Sequence, residues 1–449
     1  MRSFPLSPGQ ESLYFLSQLA PDSCAYNVVV AGAARPSLDD DRLRFAAAEL
    51  CRRHPLLQVV FGYGDQGLEQ TVLEPGGSPL RFVPAREGSH EARQAQVLEE
   101  AQRPFDLSRG PLFRLTCFRG ADGDVLLVAL HHAVLDLWSA AILLDELGRL
   151  YDGFGGPQAD LGPPATDYAR YVAELARRLE SPAGREHLGY WLNTLQPPPP
   201  RLALAHDWPR PRLPGLRGGT VQFSLPAEAR ERLERFARDE GTTLFAVLYS
   251  AFQALLSLES QEEDVVVSTV VHGRRPAFHK TLGLFINTLP IRSRLALAGS
   301  FRAHLVRVSE QLSEAFAHWE TPLRAILEGV HADTRLPLTQ FQFLLQQGGP
   351  MSDEGFSAFS IGLPGAEFRR GRFVLEAYPL PSQEGQFELQ LAAYAVADGL
   401  TFQLKYDAEL FKPERVQALG QRYLRLLSAA SEDAERPLQA LAAHSQRNQ

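Results

Sequence analysis

The stretch that most constrains this chain is residues 125–139, VLLVALHHAVLDLWS. It opens as an apolar run with β-branched residues after a turn-like GADG segment, a pattern typical of a buried strand. After Asp136 the apolar positions follow the spacing of one helix face. The pattern therefore predicts a strand that ends in two histidines, then a short turn with an acid, then a helix.

His131 and His132 need different surroundings, because successive side chains of a strand point to opposite faces. If the extended conformation persists through His132, only one of the two rings can face a given cavity. Asp136 lies where a helix N-cap is expected, and a buried carboxylate there needs a cation or several N–H donors. Taken alone, the pattern also fits a helix cap beside two core histidines.

The composition limits the class of protein. A chain of 449 residues exceeds one ordinary core, so we expect two or more domains. Its 45% apolar residues are typical of a globular protein, and a net charge of −8 gives no electrostatic basis for nucleic-acid binding. Three widely spaced cysteines fit reduced thiols, and no apolar run is long enough to span a bilayer. With very little lysine and abundant arginine, these features lead us to expect a cytoplasmic, bacterial protein without a membrane partner.

The chain has two halves of similar style. A mixture of strands and helices fills the first 150 residues, and Gly/Pro-rich stretches at 153–164 and 197–219 precede a second mixture. The segment DVLLVALH at 124–131 is faintly echoed by DVVVSTVVH at 264–272. There is no phosphate-binding loop, no dinucleotide glycine motif and no Cys/His cluster, so we expect no bound cofactor and no metal.

The segment LHHAVLDLWS resembles the HHxxxDG motif of condensation domains of nonribosomal peptide synthetases. Further segments resemble other motifs of that family, in the family's order: LSPGQESLYFLSQL at 6–19, RHPLL at 53–57, ATDYA at 165–169, DWPRP at 207–211, GLFINTLPIR at 283–292, HWETPL at 318–323 and LPL at 336–338. The resemblance covers almost the whole chain. It departs from the family at Leu137, where the motif has glycine.

The resemblance implies an α/β fold of two lobes, each like a chloramphenicol acetyltransferase subunit, that form a V-shaped pseudo-dimer with a central tunnel. We expect residues 1–175 to form the lobe with the histidine motif and 176–449 to complete the tunnel. The implied partners are donor and acceptor carrier proteins, which supply 4'-phosphopantetheine arms, and neighbouring megasynthase domains. The implied reaction joins a donor acyl or peptidyl thioester to an acceptor amine.

The resemblance also implies roles for the motif residues. His132 is the expected catalytic residue, since an imidazole titrates near pH 6.5 and can accept a proton or hold the attacking amine. His131 is expected to give structural support. Asp136 is expected to form a structural ion pair with Arg292.

Other residues are candidate substrate contacts with alternative structural roles. Asn287 and Thr288 either bind substrates or form a turn before a strand. Trp138 and Ser139 either approach the substrates or pack in the first helical turn, and Leu137 either reshapes the acceptor side or joins the core.

Three functions remain open from the sequence. The first is a bond-forming enzyme, including subtypes that form esters or couple condensation to dehydration. The second is a catalytically silent recruiting platform, and the third is an epimerisation domain. Arg274 and Arg275 either meet carrier phosphates or lie on a solvated face.

Overall fold

The structure is a computed structural model that describes residues 2–64, 67–74, 78–86, 89–156, 160–163, 166–211, 216–330, 337–346, 354–381 and 385–444. Ala165 and Leu336, which take part in two of the motifs above, lie outside the described residues.

The chain forms two compact units. Unit 1 contains Met1–Arg178, Arg274–Ile286 and Gly348–Pro381, and unit 2 contains Leu179–Gly273, Asn287–Gln347 and Ser382–Gln449. The first change of unit, after residue 178, lies close to the expected boundary at 175. The division differs from a single cut, however, because two segments of the second half belong to unit 1.

Unit 1 is built on a six-stranded sheet with the order β12-β13-β2-β7-β6-β5 and a three-stranded sheet with the order β1-β4-β3. Its elements are β1 (Arg2–Pro5), α1 (Pro8–Leu19), β2 (Asn27–Ala34), α2 (Asp40–Arg53), β3 (Val59–Gly64), β4 (Gly67–Val72), β5 (Leu80–Pro84), α3 (His90–Ala101), β6 (Phe113–Gly120), β7 (Gly123–His131), α4 (Leu137–Gly153), α5 (Tyr168–Leu179), α11 (Glu354–Ser360), β12 (Glu367–Arg370) and β13 (Phe373–Ala377). Among the described strands of the larger sheet, β5 and β6 pair in parallel and the other neighbouring pairs are antiparallel.

Unit 2 is built on a second six-stranded sheet with the order β10-β9-β11-β14-β15-β8. Its elements are α6 (Pro182–Leu195), β8 (Gly218–Pro226), α7 (Ala227–Asp239), α8 (Leu244–Ser260), β9 (Asp264–Val271), β10 (Asn287–Arg294), α9 (Phe301–Ala317), α10 (Leu323–Gly329), β11 (Phe341–Gln346), β14 (Leu389–Val396), β15 (Gly399–Asp407), α12 (Pro413–Glu432) and α13 (Leu438–His444). Its core is centred on α8, in which 13 residues are buried.

The predicted α/β class is confirmed, since each unit combines one mixed six-stranded sheet with helices. The predicted strand before the histidines is β7, an interior strand in which every residue after Gly123 is buried. The echoed segment at 264–271 is β9, also an interior strand of its sheet.

Among the described residues no single helix is long and apolar enough to cross a membrane. The pair α7 and α8 meets the length and composition criteria only when taken together, with a 99° bend between them.

Candidate functional site

The histidine pair lies at the end of β7. The N–H of His131 donates to the Leu112 carbonyl at 3.1 Å, whereas the N–H of His132 donates to the Tyr26 carbonyl at 2.8 Å. The two amides therefore point in opposite directions, as they do along a strand. β7 ends at His131, and His132 opens a single 3₁₀ turn, His132–Val134.

His131 is enclosed and electrically neutral. The residue is 6% exposed, and its ring packs near the rings of Tyr26 and Phe105, at centroid distances of 6.4 and 6.2 Å. Burial, and to a smaller extent the neighbouring His132, lowers the pKa of His131 to about 3. Its Nδ1 accepts the N–H of Ala133 at 3.1 Å, so the one ring nitrogen with a free lone pair is already used.

His132 is half-buried and has a fixed tautomer. Its Nδ1 lies 2.7 Å from the Leu135 carbonyl oxygen. Because a carbonyl oxygen only accepts, Nδ1 must carry the hydrogen of the neutral ring. The lone pair therefore lies on Nε2, which is the nitrogen able to accept a proton from a substrate.

Asp136 is the N-cap of α4, as predicted, and is 1% exposed. Oδ1 accepts the backbone N–H of Ser139 at 2.8 Å, and Oδ2 accepts the backbone N–H of Phe285 at 3.2 Å. The N–H of Asp136 donates in turn to the Gly283 carbonyl at 3.1 Å. These bonds join the turn after the histidines to segment 283–285 within unit 1.

The cation that pairs with Asp136 is Arg274, and the predicted pairing with Arg292 is wrong. Arg274 Nη2 donates to Asp136 Oδ1 at 2.8 Å, and both side chains are only 1% exposed. Arg292 instead makes a two-point contact with Asp264, with nitrogen–oxygen distances of 2.9 and 2.7 Å, and donates to the Pro197 carbonyl. Since β9 and β10 are antiparallel, Arg292 finds its acid diagonally across the strand pair.

The Arg274 side chain is buried among backbone carbonyls and an aromatic ring. Nη1 donates to the carbonyls of Phe278 and Thr281 at 3.1 and 2.6 Å, and the guanidinium lies 4.1 Å from the centre of the Phe285 ring. Both sequence interpretations of Arg274, a solvated face and a carrier-phosphate contact, are therefore wrong for this side chain. The aromatic contact and the buried acid fit a guanidinium better than an ammonium.

The other residues of the motif are tied to the same network. Ser139 is buried, donates through Oγ to the Gly283 carbonyl at 3.0 Å and accepts the N–H of Gly283 at 3.0 Å. Trp138 is half-buried and donates through Nε1 to the His279 carbonyl at 3.0 Å. Leu137 is half-buried at the start of α4 and packs against the core of unit 1.

Asn287 and Thr288 begin β10 in unit 2. The Asn287 amide nitrogen donates to the carbonyls of Trp319 and Thr321 at 2.7 and 2.6 Å, and its oxygen accepts the N–H of Leu323 at 3.2 Å. The side chain thus braces the loop before α10, which favours the structural role for Asn287. Thr288 is half-buried and pairs with Val270 of β9.

Sequence reasoning named Arg274 and included Tyr168 in a motif, but it missed that Arg274 pairs with Asp136 and that Tyr168 binds the 283–285 segment. The Tyr168 hydroxyl donates to the Leu284 carbonyl at 2.8 Å, and a Cβ on Gly283 would lie 2.3 Å from the Tyr168 ring. Glycine at 283 therefore permits the close packing of this segment. The signal for Arg274 was present in the echo, because Arg274 follows β9 much as the histidines end β7.

The site thus combines one imidazole with a free Nε2, placed directly after a buried strand, and a buried Asp–Arg pair that supports the turn of that imidazole. The family model for the condensation domain matches residues 1–449. The chain therefore belongs to the condensation domain family, whose members are acyltransferases that form amide bonds in secondary-metabolite synthetases.

Curated relatives are much longer than this chain. Tyrocidine synthase 3 of Brevibacillus parabrevis is 31% identical over 96% of the chain, which spans 6% of that protein. Phosphinothricin tripeptide synthetase PhsB of Streptomyces viridochromogenes is 33% identical over 97% of the chain, which spans 36% of that protein.

Solved structures show the same fold. The holo four-domain nonribosomal peptide synthetase AB3403, crystallised with AMP and glycine, matches 98% of this chain and 34% of its own, with a TM-score of 0.89 and 25% identity. The X-domain from teicoplanin biosynthesis matches 97% of this chain and 96% of its own, with a TM-score of 0.84 and 23% identity, and this match concerns the fold alone.

Proposed function

We propose that this domain forms an amide bond between a donor thioester and the amine of an aminoacyl acceptor, each carried on the phosphopantetheine arm of a carrier protein. Condensation domains work with such carriers, and the long relatives place their matching segments in multidomain synthetases.

The observation that carries this proposal is the fixed tautomer of His132. With Nδ1–H bound to the Leu135 carbonyl, the Nε2 lone pair is available to the acceptor amine. His131 offers no comparable nitrogen, since its Nδ1 is bonded to the Ala133 amide and its pKa of about 3 keeps it a poor base. We therefore assign proton acceptance, or retention of the amine in its attacking position, to His132.

The proposed reaction has two steps, and every bond and proton is accounted for. The acceptor nitrogen attacks the donor thioester carbon, and the nitrogen gives up a proton to Nε2 of His132. The carbon–sulfur bond then breaks, and the departing donor thiolate takes up the same proton from Nε2 of His132. The product amide stays on the acceptor carrier, and the donor arm leaves as a free thiol.

The test follows both carriers by intact mass. A donor carrier loaded with a panel of acyl and aminoacyl groups is mixed with a loaded acceptor carrier and the domain. We expect the acyl mass to move to the acceptor and the rate to fall by about 100-fold or more in His132→Ala, the range of general acid–base catalysis. His187→Ala is the matched control, because His187 is also half-buried but lies in unit 2.

The same assay separates the alternative functions. Once the product has been released from the acceptor thioester, an internal acyl linkage that alkali cleaves would indicate an ester-forming subtype. Loss of water from a seryl or threonyl product would indicate coupled dehydration. Epimerisation leaves the mass unchanged, so it is read separately by chiral chromatography of the amino acids released from the carriers; inversion without transfer would support epimerisation. Carrier binding without turnover across the panel would support a recruiting platform and would contradict the proposal.

A further inference from the structure

Two buried glutamines of unit 1 form a reciprocal pair beside the histidine turn. Gln10 on α1 and Gln70 on β4 are both 0% exposed. Gln10 Nε2 donates to Gln70 Oε1 at 3.2 Å, and Gln70 Nε2 donates back to Gln10 Oε1 at 2.8 Å. Burying two carboxamides is unfavourable unless their hydrogen bonds are made, so the pair needs a physical reason.

The surrounding backbone fixes which way each carboxamide points. Gln10 Oε1 accepts the N–H of Ser7 at 3.0 Å, a group that can only donate. Gln70 Nε2 also donates to the Pro5 carbonyl at 3.1 Å, a group that can only accept. These two contacts exclude the flipped orientations. The remaining hydrogen of Gln10 Nε2 therefore points at its third partner, the Ala133 carbonyl, at 3.0 Å.

Ala133 is the residue through which this pair reaches His132. It lies in the 3₁₀ turn directly after His132 and two residues before Leu135, whose carbonyl holds His132 Nδ1. The Ala133 N–H is bound to His131, and the Ala133 carbonyl is bound to Gln10. Both polar groups of this peptide residue are thus held by side chains, which limits rotation of the turn.

We propose that Gln10, oriented by Gln70, is a positioning residue for His132. By holding the Ala133 carbonyl it keeps the turn closed, so that the Leu135 carbonyl stays on Nδ1 and the lone pair stays on Nε2. Its effect on turnover rests on the proposed function, whereas its effect on the His132 tautomer does not. Ser7 supports the same arrangement, because Ser7 and Gln10 form the capping box of α1.

The experiment uses the full chain with ¹⁵N-labelled histidine, and His132→Gln identifies the His132 signals. In the unmodified protein we expect one neutral tautomer with hydrogen on Nδ1. In Gln10→Met, which removes the donor to Ala133, we expect both tautomers to be populated. In the carrier assay we expect kcat to fall about 10- to 100-fold with acceptor KM within about twofold, since displacement of a reacting group by about 1 Å costs up to about 100-fold.

Two further variants keep the test decisive if Gln10→Met folds poorly. Gln10→Glu retains the size of the side chain and an acceptor for Ser7 but has no amide hydrogen for Ala133. Gln70→Met leaves the Gln10 donor to Ala133 in place but removes the partner that orients it, so we expect a smaller loss of kcat than in Gln10→Met. The control is Gln340→Met in unit 2, where Gln340 is 3% exposed and donates to the Leu202 carbonyl at 2.7 Å.

A single Nδ1–H tautomer and unchanged kcat in Gln10→Met and Gln10→Glu would overturn the proposal and leave Gln10 a purely structural residue. Equal tautomer changes in Gln340→Met would do the same. If the unmodified domain transfers no acyl group, the proposed function fails, but the tautomer comparison still decides the role of Gln10.

Discussion

The first prediction tests which arginine forms the ion pair with Asp136. In Asp136→Asn the side chain keeps its size and one acceptor oxygen for Ser139. It loses the charge opposite Arg274, 2.8 Å away, and places an amide NH₂ near the Phe285 N–H that Oδ2 accepted at 3.2 Å. With both ionic side chains 1% exposed, removal of one partner leaves the other charge buried, which costs about 3–5 kcal/mol.

A double-mutant cycle isolates the interaction. We expect Asp136→Asn and Arg274→Met to be non-additive, with a coupling free energy of about 2–3 kcal/mol. Asp136→Asn combined with Arg292→Met should be additive within about 0.5 kcal/mol, since Arg292 is bound to Asp264.

The free energy is measured by native-state hydrogen exchange in urea, followed in peptides from β7 and α4, because this reports opening of unit 1 itself. A coupling below about 0.5 kcal/mol for Asp136 with Arg274, or a large coupling with Arg292, would refute the assigned pair. Activity provides a second readout: lowering the temperature should restore turnover in Asp136→Asn as the folded population recovers, but not in His132→Ala.

Three further predictions concern burial and the position of Leu137. The pKa of His131 is about 3 in the folded protein and about 6.5 in an unfolded chain, so protonation of the unfolded chain lowers the free energy of unfolding as the pH falls below 6.5. By pH 5 we expect urea unfolding to show a loss of about 2 kcal/mol in the unmodified protein that His131→Asn lacks. The same dependence of stability on pH in both proteins would contradict this. Burial raises the pKa of Asp407 from 3.8 to about 6, so ionisation of this carboxyl destabilises the fold as pH rises from 3.8 to 6. We expect Asp407→Asn to be more stable than the unmodified protein by up to about 3 kcal/mol at pH 8 and equally stable at pH 3.5, and a loss of stability at pH 8 would show that the charge is needed. Leu137→Gly should cost about 1–2 kcal/mol through lost packing and helix propensity, and should widen the range of acceptors in the mass assay; an unchanged range would leave Leu137 a packing residue only.

The local parts of the site could be predicted from the sequence because they depend on neighbouring residues. β7 is a continuous apolar run, and the N-cap at Asp136 depends on backbone groups within three residues. The opposite directions of the His131 and His132 amides continue the alternation of the strand, although the strand itself ends at His131.

The cation could not be predicted in the same way. Arg274 is 138 residues from Asp136 in the sequence, and it follows a strand of unit 2 yet belongs to unit 1. Arg292 was the wrong choice because a motif shows which residues occur together but not which of two arginines faces an acid. The register of β9 and β10 decides that question, since it places Asp264 diagonal to Arg292.

The two histidines show why the support of a site matters as much as its reactive group. The two histidines are adjacent at one strand end, but their hydrogen bonds differ. Nδ1 of His131 accepts the N–H of Ala133, whereas Nδ1–H of His132 donates to the Leu135 carbonyl. One ring is thereby left with Nε2–H and the other with a free Nε2. Because both backbone partners belong to the same turn, whatever holds that turn also sets which histidine can accept a proton, and this is why a glutamine on α1 can influence chemistry that it does not touch.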